Sequence, residues 1–178
     1  MLGIRSKLMR LRFAGPARHH HARTLQAIRD SGKSPRNILF LCYGNICRSP
    51  VAEKLCQRLM PDANVTSAGF YPEEHRQTPP NVQLAAQTLG VDLSAWSSRR
   101  VSQVLVDRSD LVVLLDLRNF RDYRPAFPND LRKIVFLGLF LDTPQIDIAD
   151  PYDKPQSETL EIVRLIDAAV TSMVRQLK

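Results

Sequence analysis

Residues 38–53, Ile38-Leu39-Phe40-Leu41-Cys42-Tyr43-Gly44-Asn45-Ile46-Cys47-Arg48-Ser49-Pro50-Val51-Ala52-Glu53, constrain this chain more than any other stretch. An apolar run ends in a cysteine, a short loop with one glycine follows, and Arg48, Ser49 and Pro50 open a helix-like segment. That is the pattern of a strand covered on both faces, a tight loop and a helix N-terminus. Such a loop turns successive backbone N–H groups toward one point, and the helix start adds partial positive charge. The concavity suits a phosphate or another tetrahedral oxyanion. Gly44 is expected to permit positive φ there, and Asn45 to tolerate it. Arg48 offers a planar fork of donors for two anion oxygens. Ser49 stands where an N-cap belongs, and Pro50 suits the first helical position. Cys42 lies at the foot of the loop. A free thiol, with a pKa of about 8.5, is only about 3% thiolate at pH 7, and helix N-termini with nearby cations bring such thiols to about 3.5–7.5. The stretch predicts a thiolate held beneath a bound oxyanion.

The rest of the chain sets the frame for that loop. At 178 residues it is long enough for one domain with a proper core. Its three cysteines do not describe a disulfide framework, which predicts a reducing, cytoplasmic setting. No apolar run approaches the length of a membrane span. The net charge of +7 is unevenly spread: residues 1–36 carry nine Lys or Arg against one acid, Asp30, whereas sixteen Lys or Arg and seventeen acids make the remainder nearly neutral. Residues 1–36 therefore read as a basic, flexible N-terminal extension, with turn and linker signals at Gly15-Pro16, Ser31-Gly32 and Ser34-Pro35 and a short helix from Thr24 to Arg29. Its charge suits an acidic partner or an anionic surface, and an organelle address is the alternative to a cytoplasmic location. The tract His19-His20-His21 has no further ligands near it in sequence, and no metal site is assigned to it or elsewhere.

Residues 37–178 read as the domain proper. Apolar runs at Asn37–Leu41, Asn64–Gly69, Leu111–Asp116 and Ile134–Leu137 alternate with helical patterns at Ser49–Met60, Asn81–Leu89, a segment through Asn119 and Tyr123, and Ser157–Leu177. Strands separated by helices predict an α/β fold: a four-stranded parallel sheet with helices on both faces and the phosphate-binding loop after the first strand. Function in such a sheet belongs beyond the C-terminal strand ends, where the Cys42 loop lies. A nucleotide-binding P-loop is excluded, because no Gly-x4-Gly-Lys-Ser/Thr occurs.

A phosphate ester loses its alcohol more readily when an acid protonates the leaving oxygen. Asp147-Ile148-Ala149-Asp150-Pro151-Tyr152-Asp153, between the last strand and the last helix, supplies candidates in a loop. With Cys42-x5-Arg48-Ser49-Pro50, the Asp150-Pro151-Tyr152 triplet makes residues 36–178 resemble the low-molecular-weight protein tyrosine phosphatases. Ser67-Ala68-Gly69, Leu93-Ser94, Arg99 and Asp116-x-x-Asn119 add to the resemblance. It implies hydrolysis of phosphotyrosine, and of small aryl phosphates, through a phosphocysteine intermediate, with no cofactor. It implies Cys42 as nucleophile, Arg48 as transition-state clamp and Asp150 as general acid. Tyr43, Gly44, Asn45, Ile46, Cys47, Arg48 and Ser49 would form the phosphate cradle and Tyr152 the substrate slot, with Ser49 bonded to the thiolate and Asn45 holding the loop in shape. The implied partner is a phosphotyrosine protein, by family analogy a tyrosine kinase of polysaccharide export. The alternatives are a non-catalytic phosphotyrosine-docking relative and an arsenate reductase-like enzyme. Against the latter, no cysteine follows Cys56. Trp96 stands where many members carry a histidine that supports the loop.

Overall fold

The computed structural model describes the backbone of residues 2–178 and the side chains from residue 12 on. Strands β1 (Asn37–Cys42), β2 (Asn64–Gly69), β3 (Leu111–Leu114) and β4 (Ile134–Phe136) form one parallel sheet in the order β2-β1-β3-β4. The expected four-stranded parallel α/β architecture is the observed one. Helices α2 (Arg48–Leu59), α3 (Pro80–Gln87), α4 (Gln103–Asp107), α5 (Leu117–Ala126) and α6 (Gln156–Leu177) connect and cover the strands. Two 3₁₀ turns, Pro128–Lys133 and Leu137–Phe140, flank β4.

The alternation within β1 explains why its sequence is apolar throughout. Ile38, Phe40 and Cys42 join the core shared with α2, α3 and α6, while Leu39 and Leu41 join the core shared with α5. Both faces are covered, so no position can be polar without a partner. The chain leaves β1 toward β2 on one side and later returns to β3 on the other. The C-terminal end of β1 is therefore the switch point of the sheet, and Cys42 is its last residue.

The flexible extension expected for residues 1–36 is a correction. Leu2–Ser31 form one helix, α1, which runs through the Gly15-Pro16 signal and far beyond the short Thr24–Arg29 helix expected. Its docking supplies the reason. Ala17, His21 and Thr24 are buried on it. Thr24 Oγ1 donates to the Arg132 carbonyl at 2.8 Å, and the Phe136 N–H donates to His21 Nδ1 at 3.1 Å. β4 is an edge strand, and these side chains satisfy backbone groups there that no neighbouring strand can reach. Phe13 packs edge-on against Phe120 of α5, with ring centroids 6.1 Å apart. Tertiary contact thus overrides the local turn propensity. Among the described residues, no helix is long and apolar enough to cross a membrane.

The His21 contact predicts a pH dependence of stability. Burial, with Arg18 and Arg29 adding to it, pulls the His21 imidazole down to about 4. In the unfolded chain it titrates near 6.5. A neutral His21 therefore stabilises the fold fully above about pH 6.5. That contribution, up to about 3 kcal/mol, drains away as the pH falls to about 4. Thermal denaturation across this window should show Tm falling with pH, and falling less in His21→Gln, whose side-chain oxygen still accepts from Phe136 but does not titrate. Equal slopes in the two proteins would remove His21 as the cause.

Candidate active site

The loop after β1 is built around Asn45, every polar group of which has a partner. Its backbone N–H donates to Cys42 Sγ at 3.2 Å, and its carbonyl accepts from Trp96 Nε1 at 2.7 Å. Its side-chain oxygen accepts from the Arg99 N–H at 2.9 Å. Its amide donates to Ser49 Oγ at 2.9 Å and to Ser67 Oγ at 2.8 Å. These bonds hold Asn45 at φ 51, in the left-handed region, whereas Gly44, expected to take that conformation, does not. The glycine the loop does require is Gly69, at the end of β2. A Cβ there would lie 2.7 Å from the Tyr43 carbonyl oxygen and 2.8 Å from the Asn45 nitrogen.

Ser49 does not take the N-cap position expected of it, but its hydroxyl meets the thiol as the family resemblance implied. α2 begins at Arg48, with Cys47 in the cap position and no side-chain cap. The Ser49 hydroxyl turns inward, to 3.0 Å from Cys42 Sγ. Because it accepts from the Asn45 amide, its own proton is free to point at sulfur. Cys42 thus sits buried at the foot of the loop with two donors on its sulfur. Cys47 is also buried, which, with Asp150 and Cys42 nearby, pushes its thiol well above the ordinary range. All three cysteines are free.

Arg48 is almost wholly buried, and its fork is already engaged. Nη1 lies 2.6 Å from Asp116 Oδ2 and donates to the Ile148 carbonyl at 2.9 Å, while Nη2 lies 2.7 Å from Asp150 Oδ2. Burial alone would lower the guanidinium pKa, but Asp116 and Asp150 outweigh it and hold the group above its ordinary value. Nε is buried without a protein partner, one donor left for an anion. Asp116 was not among the residues singled out for the site. It ends the β3 run and caps α5, its Oδ1 accepting from the Asn119 N–H at 2.7 Å. A carboxylate at a strand end beside the loop was the available signal.

Cys42, Tyr43, Gly44, Ile46, Cys47, Asp150 and Tyr152 line one cavity of about 310 Å³. Asn45, Arg48 and Ser49 stand behind it as the buried support. Asp150 accepts from the Tyr152 N–H at 3.3 Å, and the Tyr152 side chain is exposed. Three further lining residues, Tyr71, Arg76 and Arg118, carried no motif signal.

A thiol at the foot of an amide-lined loop, an arginine behind it and a carboxyl group across the cavity, at the head of a parallel sheet, define a cysteine-dependent phosphatase. The chain belongs to the low molecular weight phosphotyrosine protein phosphatase family, whose model matches residues 37–178 and so begins after α1. A probable low molecular weight protein-tyrosine-phosphatase, EpsP, from Ralstonia nicotianae is 31% identical over 148 residues, covering 80% of this chain and 97% of that protein. The low molecular weight protein-tyrosine-phosphatase Wzb of Escherichia coli K12 is 28% identical over 141 residues, with 79% and 95% covered. Among solved structures, the tyrosine phosphatase Wzb from Escherichia coli K30 in complex with sulphate superposes with a TM-score of 0.76 at 25% identity, covering 81% of this chain and 99% of that one. The YwlE arginine phosphatase from Geobacillus stearothermophilus gives 0.74 at 25% identity, with 80% and 93% covered.

The Trp96 contact yields a prediction about the loop. Trp96→Phe keeps the packing but leaves the buried Asn45 carbonyl without its donor, a loss of about 1–3 kcal/mol in stability. The loop geometry loosens with it, so kcat on p-nitrophenyl phosphate should drop by roughly tenfold and inhibition by inorganic phosphate should weaken in parallel. Steady-state kinetics and thermal denaturation on the two proteins check both effects. Unchanged kcat would make Trp96 packing alone.

Proposed function

We propose that the chain hydrolyses phosphotyrosine in proteins, with Cys42 as nucleophile and Asp150 as general acid. The observation that carries this reading is the pairing of Cys42 Sγ, held by Asn45 and Ser49, with Asp150 on the wall of the same small cavity. The phosphate would rest on the loop amides and on Arg48. Cys42 thiolate attacks phosphorus, the P–O bond to tyrosine breaks, and the Asp150 carboxyl proton goes to the departing oxygen. Water, deprotonated by the Asp150 carboxylate, then attacks the phosphocysteine, returning the thiolate and releasing inorganic phosphate. Splitting the reaction in two avoids a direct attack by water on the ester. Donors fixed around the equatorial oxygens supply the transition-state stabilisation.

Asp150 must leave Arg48 to do this, and a phosphate that takes over Arg48 donors competes for the same guanidinium. Substrate binding would therefore release the acid for protonation. The slot favours an aryl leaving group over a cationic one: Tyr43 and Tyr71 pack edge to face at 5.7 Å, and Arg76 and Arg118 line the same cavity. Two guanidinium groups at the rim disfavour the guanidinium portion of a phosphoarginine, whereas an uncharged tyrosine ring meets no such repulsion. By analogy with the family, the natural substrate would be a tyrosine kinase of polysaccharide export, acted on in the cytoplasm.

The test is phosphate release from a phosphotyrosine peptide and from p-nitrophenyl phosphate across pH 5–8. Wild type should turn over both, faster on the acidic side, because the leaving oxygen takes its proton from a carboxyl group. Cys42→Ser should lose on the order of 10⁴-fold or more. Asp150→Asn should lose about 100-fold on the peptide and less on p-nitrophenyl phosphate, whose phenolate departs with little help. A rate that climbs through pH 8, or equal losses on both substrates in Asp150→Asn, would unseat Asp150 as the acid.

A further inference from the structure

Four side chains make a continuous row along the mouth of the cavity. The Arg118 guanidinium lies over the Tyr43 ring at 3.5 Å, Tyr43 meets Tyr71 edge to face at 5.7 Å, and the Arg76 guanidinium lies over the Tyr71 ring at 4.2 Å. The order is cation, ring, ring, cation. The two arginines come from separate elements, Arg118 from the first turn of α5 and Arg76 from the loop after β2. Neither has a carboxylate partner among the ion pairs of the described residues, although Glu73 and Glu74 are neighbours of Arg76 in sequence. Arg76 Nη1 is buried with no hydrogen-bond acceptor and lies 3.5 Å from where a Gly44 Cβ would stand, so it hangs over the anion loop itself.

We propose that Arg76 and Arg118 form a second anion subsite that selects phosphotyrosines with acidic residues beside them in the chain. The inference rests on the phosphotyrosine reading above. Each guanidinium carbon is held over a ring; Arg118 is exposed and Arg76 half-buried, and a guanidinium keeps donors for a carboxylate while it rests on an aromatic face. Arg118 stands by Tyr43 and Arg76 by Tyr71, so that a peptide entering the cavity meets a cation beside each of the two rings. The buried donor on Arg76 is the sharper feature, because a polar atom without a partner marks where a ligand oxygen belongs. The phosphate is held by the loop and Arg48, so the rim arginines contribute to the choice of neighbours and to capture, more than to the chemical step.

The experiment uses the full chain and three phosphotyrosine peptides that differ only at the flanking positions, carrying Glu, Gln or Lys on both sides. Wild type should prefer the Glu peptide over the Gln peptide by about tenfold in kcat/KM at low salt, with the difference in KM, and reject the Lys peptide. Salt should shrink the preference, since exposed charges are screened within about 10 Å at 0.1 M. Arg76→Gln and Arg118→Gln should each reduce the Glu-to-Gln ratio, and the double variant should bring it near one. The readout is the ratio within each protein, so a general loss of activity does not mimic the result. Binding of the same peptides to Cys42→Ser, followed by calorimetry, gives the preference without turnover. A ratio near one in wild type, or a ratio that survives the double variant, overturns the inference while leaving the phosphatase reading intact. Absence of turnover on every peptide together with absence of binding overturns both.

Discussion

The site depends on the five bonds that Asn45 makes. A loop that presents its amides to an anion must turn more sharply than an ordinary side chain tolerates, and the left-handed conformation falls on Asn45. The strain persists because the surroundings over-determine it. β2 contributes Ser67 and the bare Cα of Gly69, while the stretch after α3 contributes the Arg99 N–H and the Trp96 indole. Two separate pieces of chain thus converge on one residue, whose own N–H reaches the thiol. The bonds are buried, where each counts for more than in water and where losing any one leaves an unsatisfied group. Loop shape and thiol environment are therefore one property of the fold.

Behind the loop, Arg48 imposes a second constraint. A buried guanidinium is tolerable only with its charge answered. Asp116 and Asp150 answer the charge, but they are not equivalent. Asp116 is mostly shielded and pinned by its role as the cap of α5, whereas the Asp150 side chain is substantially exposed and sits in a loop. One carboxylate is a fixture and the other is free to exchange Arg48 for a new partner. On the proposed mechanism, that asymmetry would let the same buried cation be paired before substrate arrives and turn to the phosphate once it does.

What could be read in the sequence follows from range along the chain. The strands were legible because burial on both faces demands unbroken apolar runs, as in Ile38–Leu41 and Leu111–Leu115. Cys42, Arg48 and Asp150 could be singled out as candidates because the full loop string Cys42–Pro50 is distinctive and, with Asp150-Pro151-Tyr152, matches a family pattern; Asp150-Pro151 alone reads as a turn. Local geometry was less so: of Gly44 and Asn45, both expected to accommodate positive φ, it is Asn45 that takes it, and Ser49 does not cap α2, its hydroxyl turning to the thiol as the family resemblance implied. Long-range bonds decide the loop where local rules left it open. Asp116, Arg76 and Arg118 lie 28 or more positions from Arg48 in sequence, and only the tertiary fold brings Arg76 and Arg118 to the cavity and Asp116 to Arg48.

Helix α1 was illegible for a related reason. Among the residues whose side chains are described, its fully buried positions form a narrow strip, Ala17, His21 and Thr24, within a polar and basic sequence broken by Gly15-Pro16. A strip that narrow leaves no strong periodicity, yet it is enough to serve an edge strand only three residues long. The same helix packs through Phe13 and His20 onto Phe120 of α5. α5 in turn begins at the Asp116 cap and carries Arg118 in its first turn. β4 leads into the 3₁₀ turn that precedes the Asp150 loop. The helix that lies outside the family match therefore packs on α5, whose first turn carries Arg118 to the cavity, and on the edge strand β4, whose Phe136 N–H it satisfies through His21. Both contacts lie behind the cavity lining, to which α1 adds no residue among those described.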